Sequence, residues 1–234
     1  MNISIQRSHN DEEQTYNVGL ENVTFLTVLN HIKTKIDPTL TYAHSCRSGV
    51  CGSCAVRVNG REVLACEYKP QDGDCIEPIR NARIIRDLVV DSSSIERFNR
   101  AGMAWSEESV SESVSSEAME RIETQSDCIL CTSCFSACPV YAVNPDFMGP
   151  FALTRVWRYV NDPREKNSEA KMAVVQTNGI WDCTLCGACV PVCPQSIAPM
   201  QDIKMLRTKS AMLGYPDPTM NFGGGGFDLG GWNF

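Results

Sequence analysis

Apolar and polar residues alternate with a period of two along 2–7 (NISIQR) and 16–22 (YNVGLEN), and again on both sides of Asn59-Gly60 in AVRVNGREVL, residues 55–64. Alternation of this kind puts successive side chains on opposite faces of a strand. The first two stretches predict a hairpin, and the third predicts a tight Asn-Gly hairpin. Between them the period lengthens: Phe25, Leu26, Val28, Leu29, Ile32 and Ile36 share one helical face, with Asn22 or Thr24 as N-cap and Pro38 as the stop. Strand, strand, helix, loop and hairpin predict a small α+β domain over residues 1–82.

From Arg83 onward the spacing reads as helical. Ile84, Ile85, Leu88 and Val89 line one face, and Ile95 and Phe98 continue the stripe. Residues 106–117 (SEESVSESVSSE) hold six serines and four glutamates, too little apolar surface to fold alone, and are expected to form a solvated linker. Helical signals return over 118–124, 149–160 and 165–178, with Pro163 marking a break. These predict an all-α domain over residues 83–213. The remaining residues, 214–234, carry YPDP and GGGGFDLGGWNF, a Gly-rich tail unsuited to regular structure. Its Phe227, Leu229, Trp232 and Phe234 would suit docking into a groove on a partner.

A length of 234 residues suits two modest domains, and 43% hydrophobic residues is ordinary for a globular protein. The net charge of −7 argues against nucleic acid as a partner. No apolar run is long enough to span a bilayer, and MNISIQRSHNDEEQ lacks the apolar core of a signal peptide.

The cysteines change the picture. Twelve of 13 fall into three groups. Cys46, Cys51, Cys54 and Cys66 follow the spacing of plant-type [2Fe–2S] ferredoxins. Cys128, Cys131, Cys134 and Cys138 form C-x2-C-x2-C-x3-C with Pro139 next, and Cys183, Cys186, Cys189 and Cys193 repeat it with Pro194. That is the bacterial cluster run, in which the fourth cysteine of each run ligates the other run's cluster. Crossed ligation predicts one [4Fe–4S] on Cys128, Cys131, Cys134 and Cys193, and a second [4Fe–4S] on Cys138, Cys183, Cys186 and Cys189. Soft thiolates suit iron–sulfide cores. Structural zinc prefers two cysteine pairs set apart, and disulfides fit neither the odd count nor the C-x-x-C spacing.

Gly49 and Gly52 are expected where a Cβ would crowd the first cluster loop or strain it. Cys75 lies outside the ligand set and is expected as a small buried hydrophobe. His9, His31 and His44 show no metal-ligand spacing, although His44 is close enough to Cys46 to tune that cluster. Arg47 could offset cluster charge or face solvent. Arg80, Arg83 and Arg86 could meet an acidic partner or lie on a solvated helix face.

The stretches CRSGVCGSCAVRVNGREVLAC (46–66), RDLVVD (86–91), DCILCTSCFSACPVY (127–141) and CTLCGACVPVCP (183–194) resemble the iron–sulfur subunit of succinate dehydrogenase and fumarate reductase, in order and spacing, from about residue 3 to 210. The resemblance implies an N-terminal β-grasp [2Fe–2S] domain followed by a helical ferredoxin-like domain. It also implies an electron-relay subunit with no catalytic residue of its own, joined to a flavoprotein that carries FAD and to a quinone-reactive membrane module. Three positions depart from the usual family pattern. Cys186 stands where a non-ligand residue normally leaves a [3Fe–4S] centre. VYAVN at 140–144 lacks the usual tryptophan, and Thr184 replaces a histidine. These departures resemble the branch often called type E, whose distal partner is a cysteine-rich, CCG-motif, heterodisulfide-reductase-like membrane-associated protein that would reach quinone indirectly.

A subunit of a thiol-driven fumarate reductase is the second reading, and a zinc- or cluster-stabilised scaffold without redox role is a third from another class. The expected location is the cytoplasmic membrane face, with co-export beside a signal-bearing partner as the alternative. With Cys186 as a ligand, EPR of the oxidised holoprotein is expected to lack a [3Fe–4S] signal. A near-stoichiometric signal would remove Cys186 from the ligand set.

Overall fold

The computed structural model describes residues 1–8, 13–107 and 113–218. A five-stranded sheet is built from β1 (Asn2–Gln6), β2 (Glu13–Asn17), β3 (Ala55–Val58), β4 (Arg61–Leu64) and β5 (Cys75–Glu77), in the order β2-β1-β5-β3-β4. Strand β1 runs parallel to β5, and the other pairs are antiparallel. Helix α1 (Phe25–His31) buries Phe25, Leu26, Val28 and Leu29 in one core with Ile3, Ile5, Val56, Val58 and Ile76. The Thr24 side chain accepts the Thr27 N–H at its start, and a π-helical turn, Ile32–Ile36, extends it to Asp37. The α+β class and the β-grasp arrangement hold.

Asn59 and Gly60 both take positive φ (50° and 82°), the geometry a two-residue turn needs to match strand twist. The second strand lies at Glu13–Asn17, earlier than the 16–22 expected. Tyr16 faces Ile3 across the ladder, and Val18 has already left the strand, donating its N–H to the Met1 carbonyl. The partner strand is only five residues long, so its length, not the alternation in YNVGLEN, decides where pairing stops.

The segment after Arg83 is a correction. It forms a hairpin of β6 (Ile84–Arg86) and β7 (Val89–Val90), not a helix. Asp87 takes φ 47° between the strands, and its carboxylate is tied down from three directions. It accepts from the Arg7 guanidinium at 3.1 Å, the Ser8 N–H at 3.1 Å and the Thr41 N–H at 2.9 Å. Leu88 then enters the first core, while Ile84 and Ile85 face outward. Arg83 pairs with Asp91 on the surface, and Arg86 donates to the Thr39 carbonyl, so neither lies on a helix.

A second core gathers α2 (Ser93–Ala101), α3 (Ser116–Ser126), α4 (Ser133–Ser136), α5 (Gly149–Val160), α6 (Ser168–Val174) and α7 (Pro199–Met212). The rings of Phe98, Phe135, Tyr141, Phe147 and Phe151 meet at tilted and edge-on angles at its centre, the Phe135 and Tyr141 centroids 4.2 Å apart. Helix α6 is shorter than the expected 165–178 because the chain turns from Val175 onward to reach the third cysteine group. Buried Lys171 caps the carbonyls of Met103 (2.9 Å) and Trp105 (2.6 Å) and faces Glu165 at 3.5 Å. Residues 108–112 of the Ser/Glu-rich linker and the tail from 219, with its four apolar candidates, lie outside the described residues. Among the described residues no helix is long and apolar enough to cross a membrane.

Arg7 holds the first core to the hairpin. Almost wholly buried, it donates to Asp37, Asp87, Gln14, Tyr16 and Thr39. Burial opposes ionisation of Asp37, but hydrogen bonds from Thr39, Arg7 and Tyr16 outweigh it and hold the carboxyl well below its usual range. The same balance, with bonds from Ser8, Arg7 and Thr41, lowers Asp87. Both folded pKa values lie below the unfolded ones, so this contribution is complete above about pH 5 and lost as pH falls through and below about 4. Arg7→Leu strands two acids and should cost about 3–5 kcal/mol in chemical denaturation. Wild-type stability in that variant would remove the cluster from this role.

Candidate metal centres

The loop after β-grasp helix α1 turns back on itself through three residues of positive φ: Arg47 (64°), Gly49 (76°) and Gly52 (71°). This aims backbone N–H groups inward, as a nest does for an anion. Cys46 N–H points to the Cys51 sulfur (3.5 Å), Ser48 N–H to the Cys46 sulfur (3.4 Å) and Gly49 N–H to the Cys66 sulfur (3.3 Å). The Ser48 N–H, followed by Cys51, draws the Cys46 thiol down to about 6, whereas burial pushes Cys54 up to about 12. Cys46, Cys51, Cys54 and Cys66 are thereby brought together.

In the helical half, Cys128, Cys131, Cys134 and Cys193 line one cavity with Phe151, Thr154 and Ile197. Cys138, Cys183, Cys186 and Cys189 line a second, with Val140, Phe147 and Met200. Each cavity takes three cysteines from one run and the fourth from the other. The two runs also repeat each other's backbone: Leu130 (φ 54°) matches Leu185 (φ 55°), and Thr132 (60°) matches Gly187 (79°). The Leu185 N–H meets the Cys183 sulfur at 3.4 Å, and the Leu130 N–H favours the Cys128 thiolate against the larger effect of burial. Leucine seldom adopts a left-handed conformation, so these two positions give no local signal and were missed; the 55-residue repeat is the clue that could have found them. Burial, above all, raises Cys134 and Cys138, with neighbouring thiols adding to it, and pushes Cys189 to about 12. Such thiols ionise when a metal takes the place of the proton.

Four thiols converging on each of three sites, with N–H donors turned toward the sulfurs, fit iron–sulfur clusters. The same donors would suit neither an oxygen-preferring cation nor a bare disulfide pair.

Gly52 joins the two halves. A Cβ there would lie 2.7 Å from the Ile129 carbonyl oxygen and 2.8 Å from Cys131 Cα, so the first loop touches the second directly. Polar bonds fix this contact. The Ser136 hydroxyl donates to Glu62 (2.7 Å) and accepts the Arg80 N–H (2.8 Å), and Glu62 is held by Arg57 at 3.1 Å. Gln195 donates to the Gly49 carbonyl at 3.2 Å, and the Asn81 amide donates to the Phe135 carbonyl at 2.7 Å. Cys134 lies within α4 and Cys138 just past its end, so this one turn spans from the first cavity to the second.

Other expected positions fall as follows. Gly49, at φ 76°, packs against the Glu67 carboxylate, which a Cβ would have to displace. His44 and Arg47 line an open polar cavity of about 220 Å³ with Asn30, Tyr42 and Cys66. His31 lies on α1, and His9 is outside the described residues. Cys75 is a correction: it is half-buried on β5, not a buried hydrophobe, and its thiol donates to Glu13 at 3.2 Å. Burial, then Glu13, pushes it up to about 11. Thr184 and Cys186 are exposed at the surface.

Residues 2–97 match the model of a 2Fe-2S iron-sulfur cluster binding domain, and residues 124–197 match a 4Fe-4S dicluster domain. The chain is 39% identical to the 8-methylmenaquinol:fumarate reductase iron-sulfur subunit of Wolinella succinogenes, over 86% of this chain and 69% of that one. It is 34% identical to the fumarate reductase iron-sulfur subunit of Haemophilus influenzae, over 90% and 93%. A fumarate reductase (CoM/CoB) subunit of Methanothermobacter marburgensis is also 34% identical, over 83% of this chain but 40% of that longer protein. A chain of the Mycobacterium smegmatis Sdh1 complex in the apo form shares the fold, with TM-score 0.81, 22% identity and coverage of 92% and 97%. Fold and site thus define a ferredoxin-type electron carrier with two kinds of cluster domain. The chain belongs to the fumarate reductase/succinate dehydrogenase iron–sulfur subunit family, and its part in such an oxidoreductase is electron transfer without catalysis.

Gly52→Ala should part the first loop from residues 129–131, because the Cβ meets backbone atoms and the φ is unfavourable. In the reduced holoprotein, spin relaxation of the [2Fe–2S] signal by its neighbour should weaken and transfer between the centres should slow. Unaltered relaxation at full iron content would separate Gly52 from the contact.

Proposed function

We propose that the chain carries three clusters, one [2Fe–2S] and two [4Fe–4S], and relays single electrons between the FAD of a flavoprotein partner and a membrane-associated, cysteine-rich CCG-type subunit resembling heterodisulfide reductase, with quinone reached through that partner. The supporting observation is continuity: the first cysteine loop touches the second at Gly52, and α4 carries the backbone from the cavity of Cys134 to that of Cys138. Iron–sulfur clusters, when bound, supply one-electron carriers that can divide the electron pair of a flavin. Cys46, Cys51, Cys54 and Cys66 would hold the [2Fe–2S]. Cys128, Cys131, Cys134 and Cys193 would hold the middle [4Fe–4S], and Cys138, Cys183, Cys186 and Cys189 the distal one.

The chain's other residues keep the relay rigid. Glu62, Ser136 and Asn81 fix the two halves, Gly52 permits the close approach, and the aromatic core around Phe135 keeps water from the interior. The exposure of Cys186 and Thr184 supports a distal site at the surface, open to a partner. The chain would lie peripherally at the membrane face. The Methanothermobacter relative, named for CoM and CoB, favours the second reading, in which thiols supply the electrons for fumarate reduction.

In complex with the flavoprotein, succinate should bleach the visible absorbance of the clusters, while the isolated chain should bleach with dithionite alone. A colourless or dithionite-insensitive chain would make it a scaffold. Cys193→Ser should lose the middle cluster and Cys138→Ser the distal one. Loss of each variant's own-run cluster instead would end the crossed arrangement.

A further inference from the structure

Asp202 stands in the first turn of α7 and is almost wholly buried. One carboxylate oxygen accepts the Thr154 hydroxyl from α5 at 2.8 Å, and the other accepts the Gln125 amide from α3 at 2.9 Å. Thr154 lines the cavity of Cys128, Cys131, Cys134 and Cys193, so the carboxylate lies one hydrogen bond behind its wall. Both partners are neutral, and no cation on the packed elements turns to it. On α5, Arg158 pairs with Asp162 and Arg155 donates to the Ala104 carbonyl. On α7, Arg207 caps the carbonyls of Ile180, Trp181 and Cys183, Lys209 caps Val160, and Lys204 is exposed. The charged residues of α3, Glu117, Glu120, Arg121 and Glu123, are exposed, as is Asp127 after it.

An acid buried without a cation is costly and needs a reason. We propose that Asp202 is the proton partner of the middle centre: its carboxylate sets the reduction potential there, and it binds a proton when that centre gains an electron. This rests on the assignment of Cys128, Cys131, Cys134 and Cys193 to one cluster. The electron comes from the neighbouring [2Fe–2S] centre, the proton from water, and the proton ends on a carboxylate oxygen of Asp202. No bond in the chain breaks. Burial pushes the carboxyl up to about 6, against the Thr154 and Gln125 hydrogen bonds, so a modest added charge moves it through neutral pH. Added negative charge in the same low-dielectric core raises that pKa further. By linkage, a bound proton then makes the electron easier to add.

The test is an EPR-monitored redox titration of the holoprotein between about pH 5 and pH 8, a range that brackets the shifted carboxyl. The middle-centre potential should fall as pH rises above about 6 and level off once Asp202 stays ionised in both redox states. Asp202→Asn should give a pH-independent potential, higher than wild type at about pH 8, since Asn mimics the protonated acid. Thr154→Val, which keeps the acid but removes a bond favouring its anion, should move the sloping region to higher pH. A flat wild-type profile, a slope that survives in Asp202→Asn, or a shift confined to the distal centre would each overturn the proposal. Loss of the middle signal in Cys193→Ser and its survival in Cys138→Ser check the cluster assignment separately.

Discussion

Thiols repel one another as they ionise, and gathering four of them around one cavity demands a backbone that supplies compensating dipoles and holds its turns rigidly. Much of the architecture answers that demand. The first loop does so with Arg47, Gly49 and Gly52 in the left-handed region. The two later runs do so with a repeated pair of left-handed residues each and with a fourth cysteine drawn from the opposite run. Because Cys193 lines the cavity of the 128–134 cysteines and Cys138 that of the 183–189 cysteines, each cavity draws on both runs. The helices between them, α5 and α6, are therefore packed as one core with α7.

The second constraint is the distance between sites, since electrons move efficiently only over short gaps. The sheet half and the helical half meet where Ile129 and Cys131 pack against the first core, and a buried polar set of bonds centred on Glu62 and Ser136 fixes the contact. Directional bonds of this kind fix register as well as attraction. Arg7 has the same part within the first half, tying the sheet to the hairpin at Asp87. In both places a buried acid is paired with arginine, whereas Asp202, behind the wall of a cysteine cavity, is left with neutral partners. Burial raises an acid held that way to about 6, near enough to neutral pH for its charge to follow that of the site in front of it.

Much was legible in the residues themselves. Cysteine spacing is set by how a short loop wraps a cluster, so the groups at 46–66, 128–138 and 183–193 could be read without any fold. The Asn59-Gly60 turn, the Thr24 cap and helix 149–160 were legible because their signals are local: positive φ, a side-chain acceptor, and a 3.6-residue period. Residues 84–90 misled because Ile, Leu and Val suit a helix face and a short strand equally. The deciding influence, Asp87 pinned by Arg7 from 80 residues away, has no local signature. Helix α7 escaped notice because its apolar stripe is weak, although Pro199 at its first position and Asp202 in its first turn are helix-start signals.

The sequence alone marked out three groups of candidate ligands, because ligand type and loop spacing are properties of short stretches. Tertiary structure alone decided which loops touch, which glycine makes the contact possible, and which acid sits behind the middle site. Those are outcomes of packing between segments tens of residues apart, where burial and electrostatics, not local pattern, choose the neighbours.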